Sequence, residues 1–578
     1  MTGLFLKKTI PTLLIGKYMT VKKSLGKLIL AAICVIATMV QAETAMQHDA
    51  RMEWWREARF GMFIHWGPVS LTGQELSWSR ANSNTNCPNN GPIPVAVYDN
   101  LYKRFDPTNF NADEWVNIAK SAGMKYMVLT AKHADGFLLW DSKVDAYNIG
   151  ATPFHRDICA DLAAAAHRQN EKIGLYFSEM DWRDPDCRSA NNARFVKKFQ
   201  AELRELLSNY GKISVLWFDC DGRPAMWDPP ATYALVRGLQ PQILINNRLE
   251  ISTTEQWLHQ GQLLPNEDFY TPEQRIGAYD DKVPWETCMT LGTQWSWKPD
   301  DKIKSADEVI RILAECAGGD GNLLLDVGPR SDGTIEPREV KVSKQVGDWL
   351  DKNGKSIYGT RGGPWKPTKA IASTRTGKII YLHILHVQND TIELPDIAGK
   401  IKSASLLRGG KIEFTQHDGK LILTVPSALR DASDTVVKLT LKDSAMDLPV
   451  VEIPPTFKAV ASNVYQNDDS NYGAQQAFDE DAQTRWATDD ATKQAWIAAD
   501  FMKPQTFSRV HISEAYPNRV QQFEFQYRNG GDWKNIFTGT TLGDNFQKSF
   551  EPVTAQEFRL NILDASEGPT INEIQLLP

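Results

Sequence analysis

A chain of 578 residues is too long for one hydrophobic core, so two to four domains are expected. With 42% hydrophobic and 23% charged residues, 18 Trp and a net charge of -7, it is a globular, aromatic-rich protein with no Lys/Arg block after the N-terminus. That pattern argues against nucleic acid as the main ligand and favours a neutral one.

Lys22, Lys23 and Lys27 precede an apolar run over 28–40 that ends in Val40-Gln41-Ala42. These are the charged, apolar and small-residue parts of a secretory signal, so residues 1–42 read as a signal peptide, with Met19 as an alternative start. The run is too short to span a bilayer, so no transmembrane segment is expected after cleavage and the protein is expected in the periplasm or outside the cell. Cys87, Cys159, Cys187, Cys220, Cys288 and Cys316 follow, with no CxxC spacing of the kind that holds zinc.

Short apolar strands and helices then alternate through residue 327. Asn111 caps a helix whose Trp115, Ile118, Ala119 and Ala122 share a face and which stops at Gly123. Phe195, Phe199, Leu203, Leu206 and Leu207 line a second helix that closes at Gly211, and Ser305 with Glu308 forms a capping box before Val309, Ile312 and Leu313. Polar residues gather where the strands end. The strand at 60–64 runs into His65, that at 126–130 into Lys132, His133 and Asp135, and that at 173–177 into Glu179 and Asp181. The strand at 213–218 runs into Asp219 and that at 243–245 into Asn246, Asn247 and Arg248. Such delivery of polar groups predicts an α/β fold of the (β/α)8 TIM-barrel type over 43–354. A doubly wound sheet also places ligands at strand ends, but no glycine-rich phosphate loop follows any strand.

After Gly354 the pattern becomes period-two: strands at 378–387, 391–394, 405–407, 411–415, 420–425 and 435–441, separated by turns such as Arg408-Gly409-Gly410 and Asp418-Gly419. An antiparallel β-sandwich is predicted over 355–445, a Pro-bounded linker over 446–456 and a second β-sandwich over 457–578.

Asp219, one or more of Glu267, Glu273 and Glu286, the two histidines, Arg248 and nearby tryptophans make a set suited to sugar chemistry. Paired carboxylates supply nucleophile and acid/base, while indole faces and charged donors grip a pyranose. Any single glutamate of the three reads more readily as a solvated loop residue than as a catalytic one.

Local sequences sharpen this. Arg59-Phe60-Gly61-Met62-Phe63-Ile64-His65-Trp66-Gly67-Pro68, Ala131-Lys132-His133-Ala134-Asp135-Gly136-Phe137, Leu216-Trp217-Phe218-Asp219 and Ile245-Asn246-Asn247-Arg248 resemble glycoside hydrolase family 29, the α-L-fucosidases. So do Asp268-Phe269-Tyr270-Thr271-Pro272-Glu273, Trp285-Glu286-Thr287-Cys288-Met289-Thr290 and the segment 321–329, all in the family's order. The resemblance implies that Asp219 is the nucleophile of a retaining exo-hydrolase of terminal α-L-fucose and that Glu273 is the acid/base, with Glu267 and Glu286 as rivals. It implies substrate contacts for His65, Trp78, His133 and Arg248, and for Trp295 and Trp297 near the sugar's apolar edge. No cofactor is expected for the catalysis. Three departures stand out: Ala134 replaces a second histidine, so one hydroxyl contact is lost or supplied elsewhere; Ser77 replaces a common glutamate, so another polar contact is missing unless Glu75 compensates; and Phe177 stands where a pocket tyrosine is frequent. His155, His167 and His259 sit in no motif and read as surface or capping residues.

Residues 477–488, 496–501 and the closing Asn572-Glu573-Ile574 resemble the F5/8 type C, discoidin-like fold shared with family 32 carbohydrate-binding modules. That resemblance implies a structural calcium with Asp479, Asp481, Thr484 and Glu573 as candidate ligands. The expected partner is a fucosylated oligosaccharide or glycoconjugate. α-L-Galactosidase activity and non-catalytic glycan binding are the alternatives.

Overall fold

The computed structural model describes residues 43–82, 89–219, 223–250, 263–387, 389–455, 457–479 and 484–578. The signal segment, Cys87, Cys220, His259 and Asp481 lie outside them. The chain divides into two compact units, Met1–Trp55 and Arg56–Pro578. Helix α1 (Ala45–Ala58) begins in the first, where Arg51 is bidentate to Glu43.

The second unit opens with an α/β body. Its seven parallel strands are β1 (Phe60–Ile64), β2 (Tyr126–Lys132), β3 (Lys172–Ser178), β4 (Val215–Asp219), β5 (Leu244–Ile245), β6 (Glu286–Thr290) and β7 (Asn322–Val327), in the spatial order β5-β4-β3-β2-β1-β7-β6. Single parallel bridges join Asn246 to Phe269 and Tyr270 to Trp285, so the segment 268–273 touches both β5 and β6, the two ends of that order. The strands are buried almost throughout, which is why they read as continuous apolar runs. A side chain on Gly61 would meet the Tyr126 ring at 2.5 Å; the glycine leaves that ring room to point across the sheet's inner face.

Helices α2 (Ala112–Ser121), α3 (Ile158–Arg168), α4 (Asn192–Asn209), α5 (Pro229–Leu239), α6 (Ala306–Gly318) and α7 (Pro337–Asn353) alternate with these strands. Asn111, Asp157 and Ser305 accept from the backbone N–H groups of Glu114, Ala160 and Glu308, caps that stabilise each helix start by about 1 kcal/mol.

An eight-stranded antiparallel sheet follows: β8 (Arg361–Gly362), β9 (Ile371–Thr376), β10 (Ile379–Ile384), β11 (Thr391–Pro395), β12 (Ile401–Leu406), β13 (Lys411–His417), β14 (Lys420–Thr424) and β15 (Thr435–Leu441), ordered β8-β9-β10-β15-β12-β13-β14-β11. The strand expected over 378–387 is shorter, and β9 has no counterpart in the sequence reading. β9 is buried on both faces, so it lacks the period-two signal: Trp365 and Ile371 join the sheet's own core, while Ala372 packs with Ala314 of α6 and Leu385. Tyr381 and Val436 join the core of the α/β body. Asp320 completes the junction by accepting from Arg59, 2.5 Å away and fully buried, and from Arg361 and the Gly362 amide. Within the segment 446–456, Val451 exchanges backbone hydrogen bonds with Pro364 and Lys366.

The C-terminal sheet has its own core around Trp486, Phe523, Phe525 and Leu560. Its strands are β16 (Lys458–Ala461), β17 (Trp486–Ala487), β18 (Ala495–Glu514), β19 (Val520–Arg528), β20 (Lys534–Gly539), β21 (Phe546–Ala565) and β22 (Thr570–Leu577), ordered β17-β22-β18-β21-β19-β20 with β16 on β18. Among the described residues no helix is long and apolar enough to cross a membrane.

Candidate active site

The C-terminal ends of β1 to β4 and of β5 converge on a cavity of about 210 Å³ lined by Phe63, His65, Trp78, His133, Tyr176, Met180, Trp217, Asp219, Arg248, Glu273, Cys288 and Trp295. A larger cavity of about 380 Å³ lies beside Asn111 and Arg156, but its charged side chains already pair with each other, as in Arg156–Asp161 and Arg168–Asp113. Only the smaller one gathers aromatic walls around two carboxylates, as a sugar site requires.

Arg248 organises it. Its buried guanidinium lies over the Trp217 ring at 4.6 Å, and its Nε and Nη2 donate to Thr271, which fixes the fork. The remaining nitrogen, Nη1, is 2.9 Å from Asp219 Oδ1 and 2.9 Å from Glu273 Oε2. Those two carboxylate oxygens are therefore no further apart than twice 2.9 Å, about 5.8 Å. Its two anionic partners offset the burial of the guanidinium and hold it firmly charged.

Asp219 has a second partner that the sequence reading missed. Tyr176 Oη donates to Asp219 Oδ2 at 2.6 Å, and its ring stacks between His133 and Trp217. Burial and the adjacent Asp219 push the phenol well above its ordinary range, so it stays a donor. The family resemblance puts a pocket tyrosine at the Phe177 position. Strand alternation turns Phe177 outward onto Phe199 and turns Tyr176 into the cavity, so counting the pleat from Asp219 on the neighbouring strand would have found it.

His65 contacts Asp326 through Nδ1 at 2.6 Å, and burial, with His133 and Arg248 nearby, drives its imidazole toward the neutral form. Burial likewise lowers His133 to about 4 despite the opposing pull of Asp219. Ser77, read from sequence as a lost contact, instead holds His133: its Oγ lies 2.6 Å from Nδ1. Glu75 does not fill the gap; it accepts from the Leu76, Trp295 and Ser296 amides and braces the loop that brings Trp295 against His65. Trp78 is 52% exposed at the rim, edge-on to Trp182.

Three sequence candidates lie elsewhere. Glu286 is sealed beneath the cavity, accepting from Trp217 Nε1 at 3.1 Å and from Tyr126 Oη, because its place on β6 turns it into the sheet's inner layer. Glu267 caps its own turn through the Leu264 amide. Its carboxyl is raised to about 7 by burial, a value that suits an acid, yet it does not line the cavity, and geometry takes precedence. Trp297 does not line it either; its indole donates to Glu336 at 2.8 Å.

Strand-end groups that point away brace the scaffold. Lys132 is buried against Glu202, Asp135 accepts from Tyr98, and Asp181 faces Lys198. His155 and His167 contact backbone carbonyls near the surface. Cys159, Cys288 and Cys316 are free and buried, and Cys187 is buried as well. In the C-terminal sheet both Asp479 oxygens accept from Thr484 Oγ1, and Glu573 is buried on β22. Among the described residues no group of three acidic, histidine or cysteine side chains is spaced to hold a metal ion.

Comparison with known proteins gives this geometry a family. The α-L-fucosidase profile matches residues 32–355 and the F5/8 type C domain profile residues 458–575. Human plasma α-L-fucosidase is 30% identical over 412 residues, 67% of this chain and 81% of that protein. Among solved structures, α-L-fucosidase isoenzyme 1 from Paenibacillus thiaminolyticus is 32% identical with a TM-score of 0.61, over 68% of this chain and 100% of that one. A family 29 α-L-fucosidase from Bacteroides thetaiotaomicron, trapped as a covalent intermediate with 2-fluoro-fucosyl fluoride, is 25% identical with a TM-score of 0.60, over 68% of this chain and 96% of that one. With the seven motifs in order and the family profile covering more than half its length, the chain belongs to the α-L-fucosidase family, glycoside hydrolase family 29.

Proposed function

We propose that the chain is an exo-acting, retaining α-L-fucosidase in which Asp219 is the nucleophile and Glu273 the acid/base. The observation that carries this is the shared Arg248 Nη1. It holds one oxygen of each carboxylate within about 5.8 Å of the other, which fits the separation of about 5–5.5 Å in retaining enzymes better than the about 6.5 Å or more of inverting ones. The cavity has room for one pyranose, which supports release of terminal residues.

Tyr176 and Arg248 each donate to one oxygen of Asp219 and keep the carboxylate aimed. Asp219 attacks the anomeric carbon while Glu273 gives its proton to the leaving oxygen. Glu273 then takes a proton from the water that hydrolyses the glycosyl ester.

The same reading extends to the architecture. The bridges at 268–273 support closure of the parallel sheet as a (β/α)8-type barrel, with both antiparallel sheets as sandwiches over 355–445 and 457–578. A cleaved signal over 1–42 places the enzyme outside the cytoplasm, acting on fucosylated glycans. Asp479 and Thr484 offer oxygen ligands to a structural calcium, with Asp481 and Glu573 as further candidates.

Incubation with a 2-fluoro-fucosyl fluoride followed by peptide mass mapping tests the mechanism: the label is expected on Asp219. A label elsewhere, or faster hydrolysis of nitrophenyl α-L-galactoside than of the α-L-fucoside, overturns the assignment.

A further inference from the structure

We propose, resting on the fucosidase reading above, that Ser77 fixes His133 as its Nε2–H tautomer, so that this histidine meets the sugar only as a hydrogen-bond donor. Ser77 is fully buried and holds a left-handed φ of 57°, a conformation that persists where neighbours over-determine it. Its amide donates to Tyr98 Oη at 2.9 Å, and Tyr98 in turn donates to Asp135 Oδ2 at 2.7 Å. The Asp135 amide then donates back to Ser77 Oγ at 2.8 Å. That closed ring of contacts sets where the hydroxyl sits.

It also sets where the hydroxyl proton goes. A serine oxygen has one proton to give and two lone pairs to offer, and the Asp135 amide takes one lone pair. The 2.6 Å contact with His133 Nδ1 then has two possible directions. If Nδ1 carried the hydrogen, the serine proton would point at nothing, in a residue with no exposed surface. An unsatisfied buried donor is the costlier arrangement, so Ser77 donates and Nδ1 accepts. Burial keeps the imidazole neutral down to about pH 4, which leaves its single N–H on Nε2. His133 stacks nearly parallel on Tyr176, at 7° and 5.4 Å, so the ring is held in this orientation beside the cavity that both residues line.

A substrate group opposite Nε2 must therefore bring a lone pair. A hydroxyl oxygen fits, and an ammonium in its place is rejected. The serine found from sequence to replace a glutamate thus changes how a histidine is read instead of removing a contact.

The full-length protein, labelled with 15N-histidine, is examined by long-range 1H–15N NMR at neutral pH, with His133 assigned by its loss in His133→Gln. The Nε2–H pattern is expected in the wild type. In Ser77→Ala, and in Ser77→Gly, which suits the positive φ while deleting the hydroxyl, a mixed pattern is expected, with kcat/KM on nitrophenyl α-L-fucoside lower by about tenfold or more. Among monodeoxy fucosides, one deletion penalty should shrink in these variants. An Nδ1–H pattern in the wild type overturns the proposal, as does an unchanged Nε2–H pattern with unchanged kcat/KM in both variants. A wild type inactive on every fucoside overturns the pocket reading, whereas the NMR pattern decides the tautomer by itself.

Discussion

Asp219 follows Trp217 by two residues on β4 and Glu286 accepts from the Trp217 indole, yet they sit in different physical worlds. Asp219 ends β4 with 26% of its side chain exposed to the cavity and two donors gripping it from Tyr176 and Arg248. Glu286 lies one layer in, without exposed surface, its oxygens taken by Trp217 and Tyr126. The difference teaches that a carboxylate becomes a reagent through an open side and convergent donors, whereas the same group sealed among satisfied partners is a strut. Glu267 makes the point from another direction, because its raised carboxyl belongs to a residue with no access to the cavity.

The contrast predicts a graded series. Asp219→Asn keeps its fold but loses about 10³-fold or more in kcat, since an amide cannot form the glycosyl ester; steady-state kinetics beside a circular dichroism melt checks this. Glu273→Ala loses about 10²- to 10⁴-fold on natural leaving groups and less on nitrophenyl fucoside, whose phenolate needs little protonation, and added azide restores part of the rate. Glu286→Gln is chiefly a stability variant: the amide turns an N–H toward one of two donors, which costs about 1–3 kcal/mol in urea titration. In Glu267→Gln, kcat/KM should stay within about twofold. A large kinetic loss there would move the acid/base to Glu267.

A further prediction concerns pH. His133 falls from 6.5 to about 4 on folding, so between those values the unfolded chain binds more protons than the folded one. The associated stability is complete above about pH 6.5 and is lost as pH falls toward 4, about 3 kcal/mol in all. Urea titrations across that window should slope less steeply in His133→Gln than in the wild type.

Much of this was legible before any coordinates. Continuous apolar strands with polar ends, and caps at Asn111 and Ser305, gave the parallel sheet and its helices because burial on both faces and end chemistry are local signals. His65, His133, Asp219 and Arg248 were legible for the same reason. What escaped depends on contacts distant in sequence. Tyr176 needed the pleat of β3 set against β4, Glu273 was preferred to Glu286 through the resemblance alone while the layer each occupies needs the folded sheet, and Ser77 looked like a deletion until His133 was folded against it. β9 escaped because a helix covers the face that would have alternated.

Asp320 carries one more consequence. Its partners Arg59 and Arg361 come from opposite sides of the junction between the α/β body and the second sheet, and Arg59 has no exposed surface to fall back on. A gene crossover between codons 320 and 361 would part residues that only make sense together. One beyond codon 457 would leave the clasp whole. Descent should therefore pass the body and second sheet on as a single heritable unit, while the C-terminal module is free to be traded among lineages.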